Sequence, residues 1–193
     1  MIVLIKQLPG TTVELGIRQV QAAGEFLDNI FACGGLMLSQ VSSLTGLEPY
    51  VIQNWVKRGF LAPAKKKLYT KRQFCRILLI NMLRESLQIE KIVGLLSYIN
   101  GHLDDESDDQ IDDTVLYLYC VTVLLALADS GGPSEGFRDI IEQTVADYAE
   151  PFPGGRRRLV DVLEVMAFAY CSAQYRKWAE RCLRSLDHIS KEE

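Results

Sequence analysis

Between Leu38 and Leu61 the chain is punctuated so closely that only short helices fit. Gly46, Pro49 and Gly59 fall within this stretch; glycine supplies the left-handed conformation that ends a helix, and proline is tolerated in a helix's first turn. The spacing predicts a first helix with Leu38, Val41 and Leu44 on one side and Ser39 as its N-cap. It predicts a second helix from Pro49 to Arg58. At about 100° per residue, Tyr50, Gln53, Asn54, Lys57 and Arg58 occupy an arc of roughly 140°. Val51, Ile52, Trp55 and Val56 fill the opposite arc. Two short helices joined through a glycine turn, the second polar on its outer face, predict a helix-turn-helix. Gln and Asn can pair bidentately with adenine, and Lys and Arg reach phosphate or guanine, so this face suits the major groove of DNA.

Past Gly59, Pro63 with Lys65, Lys66 and Lys67 predicts a short cationic turn ahead of Leu68 and Tyr69. A third helix is expected from Thr70, with Phe74, Ile77, Leu78, Leu79, Ile80, Met82 and Leu83 to pack beneath the first two. After a break near Ser86, the run Ile89 to Leu96 predicts a fourth. Over residues 37–99 this order of parts resembles the DNA-binding head of the MerR family of bacterial regulators. The residues that carry the resemblance are Leu44-Thr45-Gly46-Leu47, Ile52, Gly59-Phe60-Leu61, Tyr69 and Ile89-Glu90-Lys91-Ile92. It implies a winged helix-turn-helix: two helices, a short two-stranded wing closed by Tyr69, then a pair of helices.

From Val13 to Ile99 the chain is also similar to a group of uncharacterised bacterial proteins with such a head, through Gln53-Asn54-Trp55-Val56-Lys57 and Lys66-Lys67-Leu68-Tyr69-Thr70. On this reading Tyr50, Gln53, Asn54, Lys57 and Arg58 face the groove. Lys65, Lys66, Lys67 and Tyr69 hold phosphate or the minor groove from the wing, while Ile52, Trp55 and Leu61 support the reading helix. Where MerR heads carry an arginine followed by paired tyrosines, this chain has Gln53, Asn54 and Trp55. Either Lys57, Arg58 and the wing lysines then take over the backbone contacts of those residues, or the head binds DNA differently. Neither that family's metal-binding cysteines nor its long dimerisation coil is visible, so metal sensing is not implied.

The net charge of −4 suits a DNA binder only once it is divided along the chain. Residues 51–91 hold ten basic side chains against Glu85 and Glu90, a net +8, which leaves −12 for the remainder. A cationic segment on an acidic body is the footprint expected where one end meets phosphate. Cys33, Cys75, Cys120, Cys171 and Cys182 are odd in number, scattered and set in helical runs, which predicts reduced thiols. The stretch Met1 to Lys6 is too short for a signal peptide, and the densest apolar run, Val115 to Ala128, falls short of the ~18 residues of a membrane span. A cytoplasmic protein is expected.

The acidic run Asp104 to Asp109, with Asp112 and Asp113, predicts a linker that becomes a helix N-terminus. It lacks the central glycine and ligand spacing of a calcium loop. Breaks at Gly131-Gly132-Pro133 and Pro151 to Gly155 mark off two further helices, one carrying Phe137, Ile140, Ile141, Val145 and Tyr148 on one face. The other runs from about Arg157 to Ile189, apolar on most sides up to Cys171 and one-sided through Tyr175, Trp178, Cys182 and Leu186. Val13, Ile17, Val20, Leu27 and Phe31 form a helical stripe ahead of the expected head.

Neither His102 nor His188 has a partner at a spacing that suggests nucleophilic or metal chemistry, and no phosphate loop or dinucleotide fingerprint is present. Arg156-Arg157-Arg158 reads either as a solvated triplet or as an anion site.

The sequence thus predicts an all-α protein with a small β wing, a winged helix-turn-helix head and a helical C-terminal unit. Its expected parts are an N-terminal helix over 1–36, the head over 37–101, an acidic linker and helix start over 102–113, and a helical dimerisation or effector domain over 114–193. The expected function is transcriptional regulation through double-stranded DNA, without catalysis, metal or cofactor. A homodimer is expected, because one head buries less than the ~1,000 Å² of a specific DNA interface, and a small-molecule effector would fit the second unit. The rival reading is a helical interaction module whose basic face meets an acidic protein. A third, a helical enzyme of unknown chemistry, has no motif behind it.

Overall fold

The computed structural model describes residues 7–14, 20–101, 103, 109–131 and 136–189. Within them the chain is mostly helical with one small sheet. The order is α1 Val20–Phe31, β1 Leu36–Met37, α2 Leu38–Thr45, α3 Pro49–Lys57, β2 Leu68–Tyr69, α4 Lys71–Leu83, α5 Ile89–Asn100, α6 Asp113–Ser130, α7 Phe137–Thr144 and α8 Gly155–Ile189.

The punctuation acts as its chemistry predicts. Gly46 ends α2 at φ 69°, its N–H donating to Ser42 O, and Pro49 opens α3. Thr70 caps α4: its hydroxyl accepts from Gln73 N at 3.2 Å, and Gln73 Oε1 accepts from Thr70 N at 2.9 Å. Gln73 Nε2 also donates to Ala62 O and Pro63 O, both at 3.1 Å, which ties down the loop between α3 and β2.

The start of α2 corrects the sequence reading. Its N-cap is Met37, not Ser39, because β1 runs directly into the helix and Gln40 Oε1 accepts from Met37 N at 2.8 Å. The sheet differs as well. β2 pairs antiparallel with β1, ahead of α2, in the register Leu36↔Tyr69 and Met37↔Leu68, so one strand precedes the two short helices instead of both following them. Gly35 permits this approach, since a Cβ there would lie 2.7 Å from Leu68 Cβ and 2.8 Å from Tyr69 O.

α6 is the central element. Leu116, Tyr117, Cys120, Val121, Val123, Leu124 and Leu127 are buried, and α1, α4, α7 and α8 all pack against it. With 18 residues it is long and apolar enough to cross a membrane, one turn more than the apolar run suggested, yet it lies inside this helical assembly. One hydrophobic core runs from Leu8 to Cys171. Residues 102–113 therefore do not divide two cores, and α1, expected on the head alone, packs on α6 as well as placing Phe31 5.8 Å from Phe74. Val13 lies in a loop ahead of α1, while Ile17, His102, Asp104 to Asp108, Gly132 and Pro133 fall outside the described residues.

Asp112 and Asp113 form the helix N-terminus expected of the acidic run, and they also reach across to α4. Asp112 caps the helix, accepting from Thr114 N at 2.7 Å. Asp109 and Asp112 meet Arg72 of α4. Asp113, 2% exposed, lies 3.4 Å from Nη1 of Arg76, itself 5% exposed. Arg76 Nε donates to Phe60 O at 3.1 Å, and Asn100 Nδ2 donates to Asp113 Oδ1 at 3.3 Å. Burial raises the Asp113 carboxyl above its usual range, against the opposing pull of Arg76 and Arg72.

α8 has 35 residues, a rod about 52 Å long. Leu159, Leu163, Met166, Tyr170 and Ala173 are buried, whereas residues 175–186 include no buried side chain.

Removing half of a buried ion pair leaves the other charge desolvated, so Asp113→Ala is expected to lower stability by about 3 to 5 kcal/mol. The paired replacement Asp113→Leu with Arg76→Met should recover a large part of that loss. Urea unfolding followed by circular dichroism checks both; a single variant within about 0.5 kcal/mol of the parent refutes the role given to the pair.

Candidate functional site

α3 is held from below and open above. Ile52 and Trp55 are buried, and the Arg84 guanidinium lies 6.0 Å from the Trp55 ring centroid. On the opposite side Tyr50, 69% exposed, lines up with Gln53, Asn54 and Lys57 at helical spacing. Among the described residues, Gln53, Asn54 and Lys57 make no side-chain hydrogen bond or ion pair, so their donors and acceptors are available to a ligand. Arg58 departs from the expected set. Its Nη2 lies 2.6 Å from Glu90 Oε1 and its guanidinium stacks 4.4 Å from the Phe60 centroid, which directs it toward α5. A backbone hydrogen bond and the bond from Arg58 hold the Glu90 carboxyl below its usual range.

The second cationic group sits on a hairpin. Lys65 N donates to Leu68 O at 3.1 Å and Leu68 N donates to Lys65 O at 3.0 Å, leaving Lys66 and Lys67 as a two-residue turn. Both have positive φ, 52° and 65°, the geometry of a type I′ turn that normally takes Asn and Gly. Lysines there work against their own backbone preference, and such strain tends to gather at functional positions. All three lysines are exposed. Tyr69 is not: its side chain is 4% exposed and burial raises its hydroxyl, so it supports the sheet and does not reach a groove.

The charge on offer is smaller than the segment's +8 suggests. Lys71 pairs with Asp28, Arg72 with Asp109 and Asp112, Arg76 with Asp113 and Arg58 with Glu90. Among the described residues, Lys57, Lys65, Lys66, Lys67, Arg84 and Lys91 remain without an ion pair. Sequence reasoning missed these internal pairings, because the acids and bases concerned lie far apart in the chain.

The remaining expected candidates resolve into structure. Arg156 donates to Tyr148 O at 2.9 Å, and Arg158 lies against Tyr98 and Phe152, 5.4 and 5.7 Å from their centroids. Cys75 and Cys120 are buried, which pushes each thiol up to about 12, and burial takes Cys171 to about 11. Among the described residues no group of three or more His, Cys, Asp and Glu could hold a metal. His102 and the His188 side chain lie outside those residues.

Fold and site together define a mostly helical protein with a small sheet, presenting one polar helix face and one lysine hairpin. The chain belongs to a family described as a domain of unknown function, DUF1836, whose model matches residues 22–120. That match runs from α1 to the middle of α6 and so crosses the expected boundary at 102–113. It is also 31% identical over 113 residues to YkrK, an uncharacterised protein of Bacillus subtilis (strain 168); the alignment covers 55% of this chain and 48% of that one. The chain thus spans about half the length of the curated relative it matches. No solved structure matches.

Two outcomes follow from this geometry. In the native protein a neutral thiol reagent is expected to modify Cys33 and Cys182, which are exposed, while Cys75, Cys120 and Cys171 react only on unfolding; counting released thiolate before and after denaturant checks this. Replacing Lys66 by Asn and Lys67 by Gly should raise stability by about 1 kcal/mol, since both residues then accept positive φ. A fall in the urea midpoint would refute the strain.

Proposed function

We propose that the chain is a transcriptional regulator that binds double-stranded DNA. α2 and α3 form its helix-turn-helix, and the hairpin from Lys65 to Leu68 with β1 forms its wing. The observation that carries this reading is α3: a buried Ile52 and Trp55 fix a helix whose opposite face leaves Gln53, Asn54 and Lys57 unpaired. The arrangement of α2, α3, sheet, α4 and α5 supports the resemblance to MerR heads, with the difference that one strand lies ahead of α2. In this assignment Tyr50, Gln53 and Asn54 meet base edges, and Lys57 with Lys65, Lys66 and Lys67 meet phosphate. Arg58 braces α3 through Glu90, and Tyr69 braces the wing. Such a regulator works in the cytoplasm and needs no catalytic group.

Specific DNA binding by one small head falls short of the ~1,000 Å² typical of such interfaces, which favours a pair of heads. The second half of α8 supplies a contact with a second copy: Tyr175, Trp178, Leu183 and Leu186 are 41%, 44%, 62% and 61% exposed. A stripe of this composition on a solvated helix costs free energy until it is covered.

Three measurements test the reading. Gln53→Ala with Asn54→Ala should leave stability nearly unchanged and weaken a preferred duplex by about 1 to 3 kcal/mol per lost bidentate contact, with less effect on random duplex. Lys65, Lys66 and Lys67 changed together to Gln should weaken every duplex and reduce the salt slope by up to about 3. Fluorescence anisotropy titrations across a salt series read both. Salt-independent binding, or none at all, would favour the rival module that meets an acidic protein. Trp178→Glu with Leu186→Glu should turn a sedimenting dimer into a monomer; an unchanged dimer moves the contact elsewhere.

A further inference from the structure

A cavity of about 480 Å³ lies between the loop at residues 7–14, the end of α4 and α8. Its size is within the range of small-ligand sites, and polar groups dominate its wall. Lys177, on the α8 side, is held by Glu85 at 2.6 Å. Arg84 and Arg181 also line the cavity, and among the described residues neither guanidinium has a hydrogen bond or ion pair. With Glu85 neutralised by Lys177, the acid left among the described lining residues is Glu14, and the Gln174 amide adds a donor. Arg84 from the end of α4 and Arg181 from α8 thus bring two guanidiniums to one cavity, and guanidinium forks match the planar oxygens of carboxylate and phosphate.

The cavity is also wired to α3. Arg84 lies over the ring of Trp55, the buried support of α3. Thr45, the last residue of α2, lines the cavity too. Asn81 Nδ2 donates to Thr45 O at 3.0 Å and to Gly10 O at 2.9 Å, and Thr12 N donates to Leu44 O at 2.9 Å, so the loop that roofs the cavity is stitched to the α2–α3 turn. The loop also sits tightly on α4, because Gly10 has φ 80° and a Cβ there would collide with Leu78 O.

We infer that this cavity binds a small oxyanion, the carboxylate or phosphate of a metabolite, between Arg84 and Arg181, and that binding draws Arg84 off Trp55. Its use as a control on DNA rests on the function proposed above, whereas the binding itself does not. The anion neutralises the two guanidiniums, and α3 then loses the cation that lies on its supporting ring. Occupancy is thereby read at the helix that carries Gln53 and Asn54.

Trp55 reports the event directly, because the chain has two tryptophans and Trp178→Phe leaves only this one. The Trp178→Phe protein is titrated at fixed ionic strength with inorganic phosphate in one arm and citrate in the other, following Trp55 emission. The expected result is a saturable change in at least one arm, weakened at least tenfold by Arg181→Gln, on an exposed turn of α8 whose replacement leaves the core intact. Which arm responds distinguishes a phosphate from a carboxylate ligand. Lys65, Lys66 and Lys67 changed together to Gln should leave the titration unaltered. No saturable change with either anion overturns the inference, as does equal affinity in Arg181→Gln or loss of the signal in the triple lysine variant. With duplex DNA present, a responding anion should change affinity at least threefold; an absent effect on measurable DNA binding overturns the control. Failure of all duplex binding, with the Trp55 titration intact, removes the DNA reading and leaves the anion site standing.

Discussion

Arg76 cannot give up its proton, yet it sits within the buried run of α4 from Phe74 to Ile80. Burying it requires an anion, and the chain brings Asp113 from 37 residues downstream to provide one. The remaining Nε bonds to Phe60 O, at the end of α3's turn, while Asn100 takes the other carboxylate oxygen from the end of α5. Four elements thus meet at one charge. Because desolvation offsets most of the Coulomb attraction, the pair adds little net stability over an apolar substitute. In the observed setting of α6 against α4 neither charge is stranded.

That setting separates framework from surface. Arg72 and Arg76 are spent on internal acids, and what α3 and the hairpin turn outward is a group of lysines and amides with no internal partner. Arg58 shows the division within two positions, since Lys57 is open whereas Arg58 is bound to Glu90 and Phe60. The two lysines at the hairpin tip lie on the outward side of it as well. Asn and Gly would fit their backbone better, so the charge there is maintained against local preference.

Much of the local structure could be read from the sequence, because Gly46, Pro49, Gly59 and Thr70 act within one turn of chain. The faces of α3 were legible for the same reason: helical periodicity places Ile52 and Trp55 opposite Gln53 and Asn54 whatever else the chain does. Long-range pairing was not legible. The strand opposite β2, the acids that claim Arg72 and Arg76, and the continuity of the core through α6 all depend on residues tens of positions apart. A run of aspartates ahead of an apolar stretch reads as a helix start in a sequence, and only the fold shows that Asp109, Asp112 and Asp113 close on α4. Tyr69 was misread by the same route, since a polar hydroxyl at a strand end gives no sign of which way its ring turns.

The separation of Arg76 from its acid sets an order of completion. A chain emerging from the ribosome presents α3 and α4 well before Asp113, and in that interval Arg76 has no partner with which to enter a core. The frame around Arg76 is therefore complete only when residues from both sides of α5 are in place.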